Sequence, residues 1–233
     1  LKRLPRSVHR RQSAPMPLPS RYRAEPPLPH GTPACTAILL VNLGTPDEPT
    51  PAALRRYLAE FLSDPRVVEI PRLPWWLILH GVILRVRPAR SAAKYASIWT
   101  DAGSPLAAWT RKQAKLLQGY LGERGHAPPA LLVRHAMRYG QPSIASVLDE
   151  LKAANATRIL VLPLYPQYAA ATTASVNDAV MAWMQVQRRQ PELRQVNRYH
   201  DYEGYIAALA QRVRARWMSH GRGERLVLSF HGL

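Results

Sequence analysis

The sequence has a single cysteine, Cys35, and few acidic side chains. One thiol cannot close an internal disulfide or build a cysteine-rich metal site in this stretch, so we expect a reducing, cytoplasmic compartment. The 15 acidic residues face 32 lysines and arginines, which gives a formal net charge of +17. Such a positive charge favours binding to a nucleic acid, an anionic membrane or an acidic small molecule. The charge alone does not distinguish among these partners.

Several catalytic signatures are also absent. The sequence has no G-x-G-x-x-G after a strand, no G-x-x-x-x-G-K-[ST], no H-E-x-x-H, no C-x-x-C and no G-x-S-x-G. These absences argue against nucleotide hydrolysis, zinc proteolysis and serine hydrolysis. Residues 73–86 are the longest nearly apolar run, and they fall short of the ~20 residues that span a bilayer.

Residues 1–34 differ in composition from the rest of the chain. They carry eight prolines, and no acidic residue occurs among residues 1–23. No apolar periodicity accompanies this composition, which predicts a disordered basic arm.

Strand patterns alternate with helix patterns after the arm. The apolar run at residues 37–43, ended by Gly44, is typical of a strand buried on both faces. Further strands are predicted at 130–133, 158–162, 193–197 and 226–230. Helices are predicted to start at the Thr50-Pro51 and Ser104-Pro105 caps, and to cover residues 73–86, 142–154, 172–189 and 202–219. Repeated β-α units predict an α/β fold with a mostly parallel sheet and helices on both faces.

The strand count predicts two domains after the arm. Four strands fill a compact sheet over residues 35–200, and the fifth would begin a second domain over residues 201–233. No covering helix follows the fifth strand before the sequence stops. We therefore expect the second domain to be incomplete.

Candidate functional side chains follow two of the predicted strands, at the edge where open α/β sheets bind ligands. His231 follows the fifth strand, and its imidazole can take a proton or bind a cation near neutral pH. The alternative is a partly buried structural histidine. Arg138 and Tyr139 follow the second strand and are suited to holding a carboxylate, although the residues alone favour a solvated loop.

Two other segments have alternative interpretations. Trp75 and Trp76 open the apolar run at 73–86, and arginines follow it, as in a helix that lies on an anionic membrane. A core helix with solvated arginines is the alternative. Small and hydroxyl residues at 169–175 permit close approach of a flat or anionic ligand, or simply tight packing.

Six short segments occur in a fixed order along residues 37–233. They are LLVNLGTPD at 39–47, YLAEFLSDPRVV at 57–68, GSPL at 103–106, MRYG at 137–140, LYPQY at 164–168 with two threonines at 172–173, and SFHGL at 229–233. Together they resemble the ferrochelatase family, which inserts ferrous iron into protoporphyrin IX to make haem. Each segment is modest alone, but their order makes the resemblance highly specific.

The resemblance implies two similar Rossmann-like halves that enclose a porphyrin cleft. It implies that His231 acts as a metal ligand or as the base that removes a pyrrole proton. It also implies that Arg87 meets a propionate and that the cleft is lined by Leu43, Tyr95, Ser104, Arg138 and Tyr139. Protoporphyrin IX and ferrous iron are then substrates, and no separate cofactor is expected in this stretch.

One family feature has no counterpart in the sequence. The acidic metal partner, a glutamate well beyond the histidine in the family, would fall after residue 233. We therefore expect an incomplete copy that does not insert iron alone. We also expect a cytoplasmic location, with peripheral contact at an anionic inner membrane.

Three alternatives compete with this interpretation. A related chelatase would insert another metal, such as cobalt, into a different tetrapyrrole. A non-catalytic porphyrin-binding fragment would bind without turnover. A nucleic-acid module would cluster its basic residues among exposed aromatics, whereas here the basic residues are spread along the chain. We therefore expect no nucleic-acid partner.

Overall fold

The computed structural model describes residues 20–230, and predictions for other residues, including His231, lie outside that range. The strands are β1 Cys35–Gly44, β2 Leu131–Tyr139, β3 Ala156–Pro163 and β4 Glu192–Gln195. The helices are α1 Pro51–Leu62, α2 Arg72–Ile78, α3 Leu84–Ala96, α4 Pro105–Gly122, α5 Ile144–Ala153, α6 Ser175–Met184 and α7 Glu203–His220. π-Helical turns join α2 to α3 at Leu79–Ile83 and precede α6 at Ala170–Ala174.

The four strands form one parallel sheet in the order β2-β1-β3-β4. The strand with the most apolar sequence, β1, lies in the interior of the sheet, where Ala37, Leu39 and Val41 are fully buried. A strand buried on both faces needs such an unbroken apolar run. The predicted α/β fold with a parallel sheet and surrounding helices is therefore confirmed.

Helices cover both faces of the sheet. On one face, Leu39 packs in a cluster with Leu148 of α5 and Val176 of α6. On the other, Leu40 packs against Ala114 of α4. Side chains alternate between the faces along a strand, so β1 supplies both clusters.

A third apolar cluster lies at the carboxyl edge of the sheet. It joins Leu54 and Tyr57 of α1, Leu84 of α3 and Tyr139 at the end of β2. The start of α1 is fixed as the sequence predicts, because the Thr50 hydroxyl accepts a hydrogen bond from the Ala53 N–H at 3.3 Å. The helices α1 to α3 therefore stand over the edge at which parallel strands present ligand sites.

Two predictions about strands are wrong. The segment from Arg134 to Tyr139 is not a loop, because β2 continues through it. Charged residues are tolerated there because β2 is an edge strand, and Arg134 pairs with Glu150 at 2.8 Å. Residues 226–230 are not a strand in the described structure, and Leu226, Val227, Leu228 and Phe230 are 57–85% exposed. The domain boundary near Asp201 stays a prediction.

The apolar run at 73–86 forms α2, the π-helical turn and the start of α3, and it is buried only in part. Leu79 is 1% exposed, and the Trp75 indole N–H donates to the Leu62 carbonyl oxygen at 2.6 Å. In contrast, Leu73 is 73% exposed and Trp76 is 56% exposed. Within residues 20–230, no helix combines the length and hydropathy needed to cross a bilayer.

The disordered arm stays a prediction, but within residues 20–34 residues including Arg23 and Glu25 contact the folded part of the chain. The Arg23 N–H donates to the Val186 carbonyl oxygen at 2.9 Å, and the Arg23 side chain pairs with Asp149 at 2.8 Å. Glu25 pairs with Lys152 at 2.8 Å. Composition predicts disorder because the arm lacks an apolar face, whereas these contacts use polar groups that α5 and its neighbours supply.

Replacing Glu25 with glutamine should destabilise the protein, because Lys152 is a buried cation, 7% exposed, and Glu25 is its carboxylate partner. We expect a loss of about 1–2 kcal/mol, since Glu25 is one-third exposed and solvent screens the pair. The pKa of Glu25 is lowered chiefly by the hydrogen bond from Lys152. Its contribution is therefore complete above the ordinary glutamate pKa and is lost as pH falls through the lowered value.

Urea denaturation at pH 7 and at acid pH measures this effect, and the difference between the two proteins should shrink in acid. The matched control is Glu192→Gln, which removes a carboxylate from an exposed pair with Arg194. That change should cost less than about 0.5 kcal/mol. Equal losses for both variants would show that the ion pair between Glu25 and Lys152 stabilises the protein no more than an exposed ion pair does.

Candidate functional site

The strands β1 and β2 end side by side, and their last residues approach closely. Gly44 pairs with Tyr139 in the register of β1 and β2. Gly44 has φ +109°, and a Cβ there would lie 1.8 Å from the Tyr139 carbonyl oxygen. Only glycine allows this approach. The Tyr57 hydroxyl donates to the Gly44 carbonyl oxygen at 3.3 Å, which ties α1 to the same edge.

A buried carboxylate, Asp64, collects hydrogen bonds just after α1. Its Oδ2 accepts from Arg138 Nη2 at 2.6 Å, from the Tyr139 hydroxyl at 2.8 Å and from the Ser175 hydroxyl. Its Oδ1 accepts from the Arg66 N–H at 2.7 Å. The Arg138 Nε donates to the Ser175 carbonyl oxygen at 2.9 Å as well. These bonds join the end of α1, the end of β2 and the start of α6.

The charge state of Asp64 follows from two opposing influences. Burial is the larger single influence and raises the pKa of Asp64, because it disfavours the ionised form. Hydrogen bonds from Ser175, from the Arg66 N–H and from Tyr139 lower it, as does the positive charge of Arg138. Together they outweigh burial, so the pKa of Asp64 lies below its usual range. The carboxylate is ionised at neutral pH.

Two tyrosines, Tyr139 and Tyr165, lie at the end of β2 and just after the end of β3. The Tyr139 ring packs edge-on against Phe61 at 5.0 Å between ring centroids. Burial raises the pKa of Tyr139 and of Tyr165 well above the usual tyrosine range. The Tyr165 hydroxyl is buried without a hydrogen-bond partner among residues 20–230. Both hydroxyls therefore keep their protons at neutral pH.

Three of the predicted cleft residues lie in one cluster. Leu43 and Tyr95 are half-buried and pack against the apolar cluster under α1 to α3, which contains Tyr139. Arg138 lies beside Tyr139, with its guanidinium 4.5 Å from the ring centroid. Tyr139 itself is 0% exposed, so in this structure its side chain offers no surface to a ligand. Contact of these residues with a porphyrin stays a prediction.

The other predicted site residues lie elsewhere. Arg87 is exposed on α3. Ser104 is 5% exposed, and its side chain makes no capping hydrogen bond although α4 begins at Pro105. His231 lies outside the described residues, so its roles as base or metal ligand stay predictions. Within residues 20–230, no three His, Cys, Asp or Glu side chains are grouped closely enough to hold a metal ion.

The sequence-based reasoning did not single out Asp64 or Ser175. Asp64 stands in a turn between helices, and its partners are distant along the chain. Arg138 is 74 residues away and Ser175 is 111 residues away. The available signal was its place in the YLAEFLSDPRVV segment at 57–68, one of the six segments that carry the family resemblance.

Comparisons with known proteins cover nearly all of the chain after the arm. The sequence model of the ferrochelatase family matches residues 35–233. A protein of Methylibium petroleiphilum named ferrochelatase is 71% identical over 213 residues, which is 91% of this chain. Proteins of the same name from Polaromonas and from Dechloromonas aromatica are 64% and 59% identical, each over 216 residues. The chain spans 58% of the length of each of these relatives.

Proposed function

The chain belongs to the ferrochelatase family, and we propose that the whole protein inserts ferrous iron into protoporphyrin IX to form protohaem. The observation that carries this proposal is the gathering of three family segments at one edge of the sheet. The segments that contain Leu43, Asp64 and Tyr139 meet where β1 and β2 end. Parallel α/β sheets bind ligands at that edge.

The reaction needs a cleft that deforms the porphyrin and accepts its protons. A planar macrocycle hides its nitrogen lone pairs from an incoming ion, so a wall that holds the ring bent lowers the barrier. In this proposal His231 takes a pyrrole proton or binds the arriving iron as a neutral imidazole. Arg87 would meet a propionate, and the overall positive charge would favour an anionic substrate.

Anaerobic incubation of the full-length protein with Fe²⁺ and protoporphyrin IX, followed by absorbance, tests the proposal. We expect haem to form with the full-length protein and not with residues 1–233 alone. A panel of divalent metals and tetrapyrroles separates iron insertion from a related chelation. If the full-length protein binds porphyrin but forms no haem, the proposed iron insertion is wrong and the protein only binds porphyrin.

We also propose a cytoplasmic protein that contacts an anionic inner membrane peripherally through α2 and α3. The support is an exposed apolar surface with basic residues at its end: Leu73, Trp76, Leu77, Val82 and Val86 are 53–73% exposed. Arg85, Arg87 and Arg90 are exposed beside them. Tryptophan and arginine favour the interface of an anionic bilayer.

Flotation with vesicles tests this contact. Trp76→Glu should lower the bound fraction on anionic vesicles about tenfold, because it removes apolar area and adds a repelled charge. The control is Trp109→Glu, which changes a tryptophan of similar exposure on α4. A loss of equal size in both variants would contradict a contact through α2 and α3.

A further inference from the structure

Hydrogen bonds to Asp64 and Ser175 leave the Arg138 guanidinium almost no freedom to turn. Arg138 Nη2 binds Asp64, and its Nε binds the Ser175 carbonyl and hydroxyl oxygens at 2.9 and 2.6 Å. Its guanidinium also lies over the Tyr139 ring. Two other segments and the neighbouring ring on β2 thus hold the guanidinium. Because arginine donates through a rigid planar fork, these contacts fix its direction.

We infer that Asp64 is a positioning residue for the proposed iron insertion, and that it acts by fixing Arg138 at the end of β2. The inference rests on the proposed function and deepens it. Asp64 has a side chain that is 4% exposed, so it acts on a substrate through its neighbours. Arg138, at 18% exposed, keeps some open surface.

The space beside Arg138 explains why it needs to be held. Arg138 and Asp64 line a cavity of about 630 Å³, with Trp183 in its wall and Arg23 on the side of the arm. Without the carboxylate, the guanidinium has room to turn into this space. A buried ion pair is weak evidence for stability but can hold a unique geometry.

An amide cannot replace this carboxylate in either orientation. Oδ2 accepts three hydrogen bonds, and Oδ1 accepts the one from the Arg66 N–H. Asparagine carries one acceptor and one donor. In either orientation, the NH₂ group of asparagine would therefore face a donor that a carboxylate oxygen now accepts from. Asp64→Asn keeps the shape of the side chain and still breaks the arrangement.

In the full-length protein we expect Asp64→Asn to lower kcat/KM for protoporphyrin about thirtyfold, because misplaced groups lose transition-state contacts. In an Arg138→Gln background the same change should cost less than about twofold, since the positioned group is already gone. An aspartate with a merely structural role would lower kcat/KM by the same factor in both backgrounds. That result would overturn the inference, whatever happens to the melting temperature.

The matched control is Asp178→Asn, which removes a carboxylate from a nearby pair with Arg66 and leaves Arg138 and Tyr139 untouched. It should stay within about twofold of the unsubstituted protein. If Asp64→Asn does not fold, Ser175→Ala removes fewer contacts and should lower kcat/KM about threefold, again only when Arg138 is present. An unsubstituted protein without insertion activity would instead contradict the proposed function.

Discussion

Replacing His231 with alanine in the full-length protein should abolish iron insertion and leave porphyrin binding measurable. A neutral imidazole can accept a pyrrole proton or bind Fe²⁺, and alanine can do neither. Loss of a positioned base or ligand typically costs at least about a hundredfold, so we expect turnover to fall to background. Porphyrin binding depends on the cleft wall and on propionate contacts, which His231 does not supply in this proposal.

Haem formation and an absorbance titration with protoporphyrin are the two measurements needed. His126→Ala is the control, because His126 is exposed after α4. It should leave turnover unchanged. Turnover by His231→Ala at a tenth or more of the original rate would show that the role assigned to His231 is wrong.

The second large effect concerns Gly44. A methyl group at this position would lie 1.8 Å from the Tyr139 carbonyl oxygen, far inside van der Waals contact, and φ +109° is unfavourable for other residues. Relief requires β1 and β2 to separate at the point where α1 is also attached through Tyr57. We expect Gly44→Ala to cost more than about 4 kcal/mol, which places it among the exceptional substitutions.

Denaturant unfolding or the soluble yield on expression measures this loss. Gly103→Ala is the matched control, since Gly103 has φ +90° but no neighbouring atom within 4 Å of the place that a Cβ would occupy. Gly103→Ala should cost only the backbone strain, about 1–2 kcal/mol. Similar losses at both positions would mean that the contact between the strands is not as restrictive as the geometry indicates.

The sequence predicts the sheet well because its signals are local. The apolar run of β1 and the Thr50 cap of α1 depend on adjacent residues, and both occur as predicted. The second half of β2 is harder to predict, because Arg134 and Arg138 look like loop residues. Their partners, Glu150 and Asp64, are known only once the chain has folded.

The site is harder to predict than the fold for the same reason. The resemblance drew attention to Arg138 and Tyr139, but no local pattern shows that both bind Asp64. The arm gives a second example. Its contacts with the folded part of the chain include an ion pair with Lys152, a buried cation that the composition of the arm alone does not reveal.

The exposed run at residues 226–230 affects how this chain behaves in concentrated solution. Its letters are LVLSF, with no charge and no proline, and its apolar side chains are 57–85% exposed. Short uncharged segments of this composition pair with free strand edges and nucleate aggregation. The solubility of this chain therefore depends on whether a neighbouring strand pairs with this run.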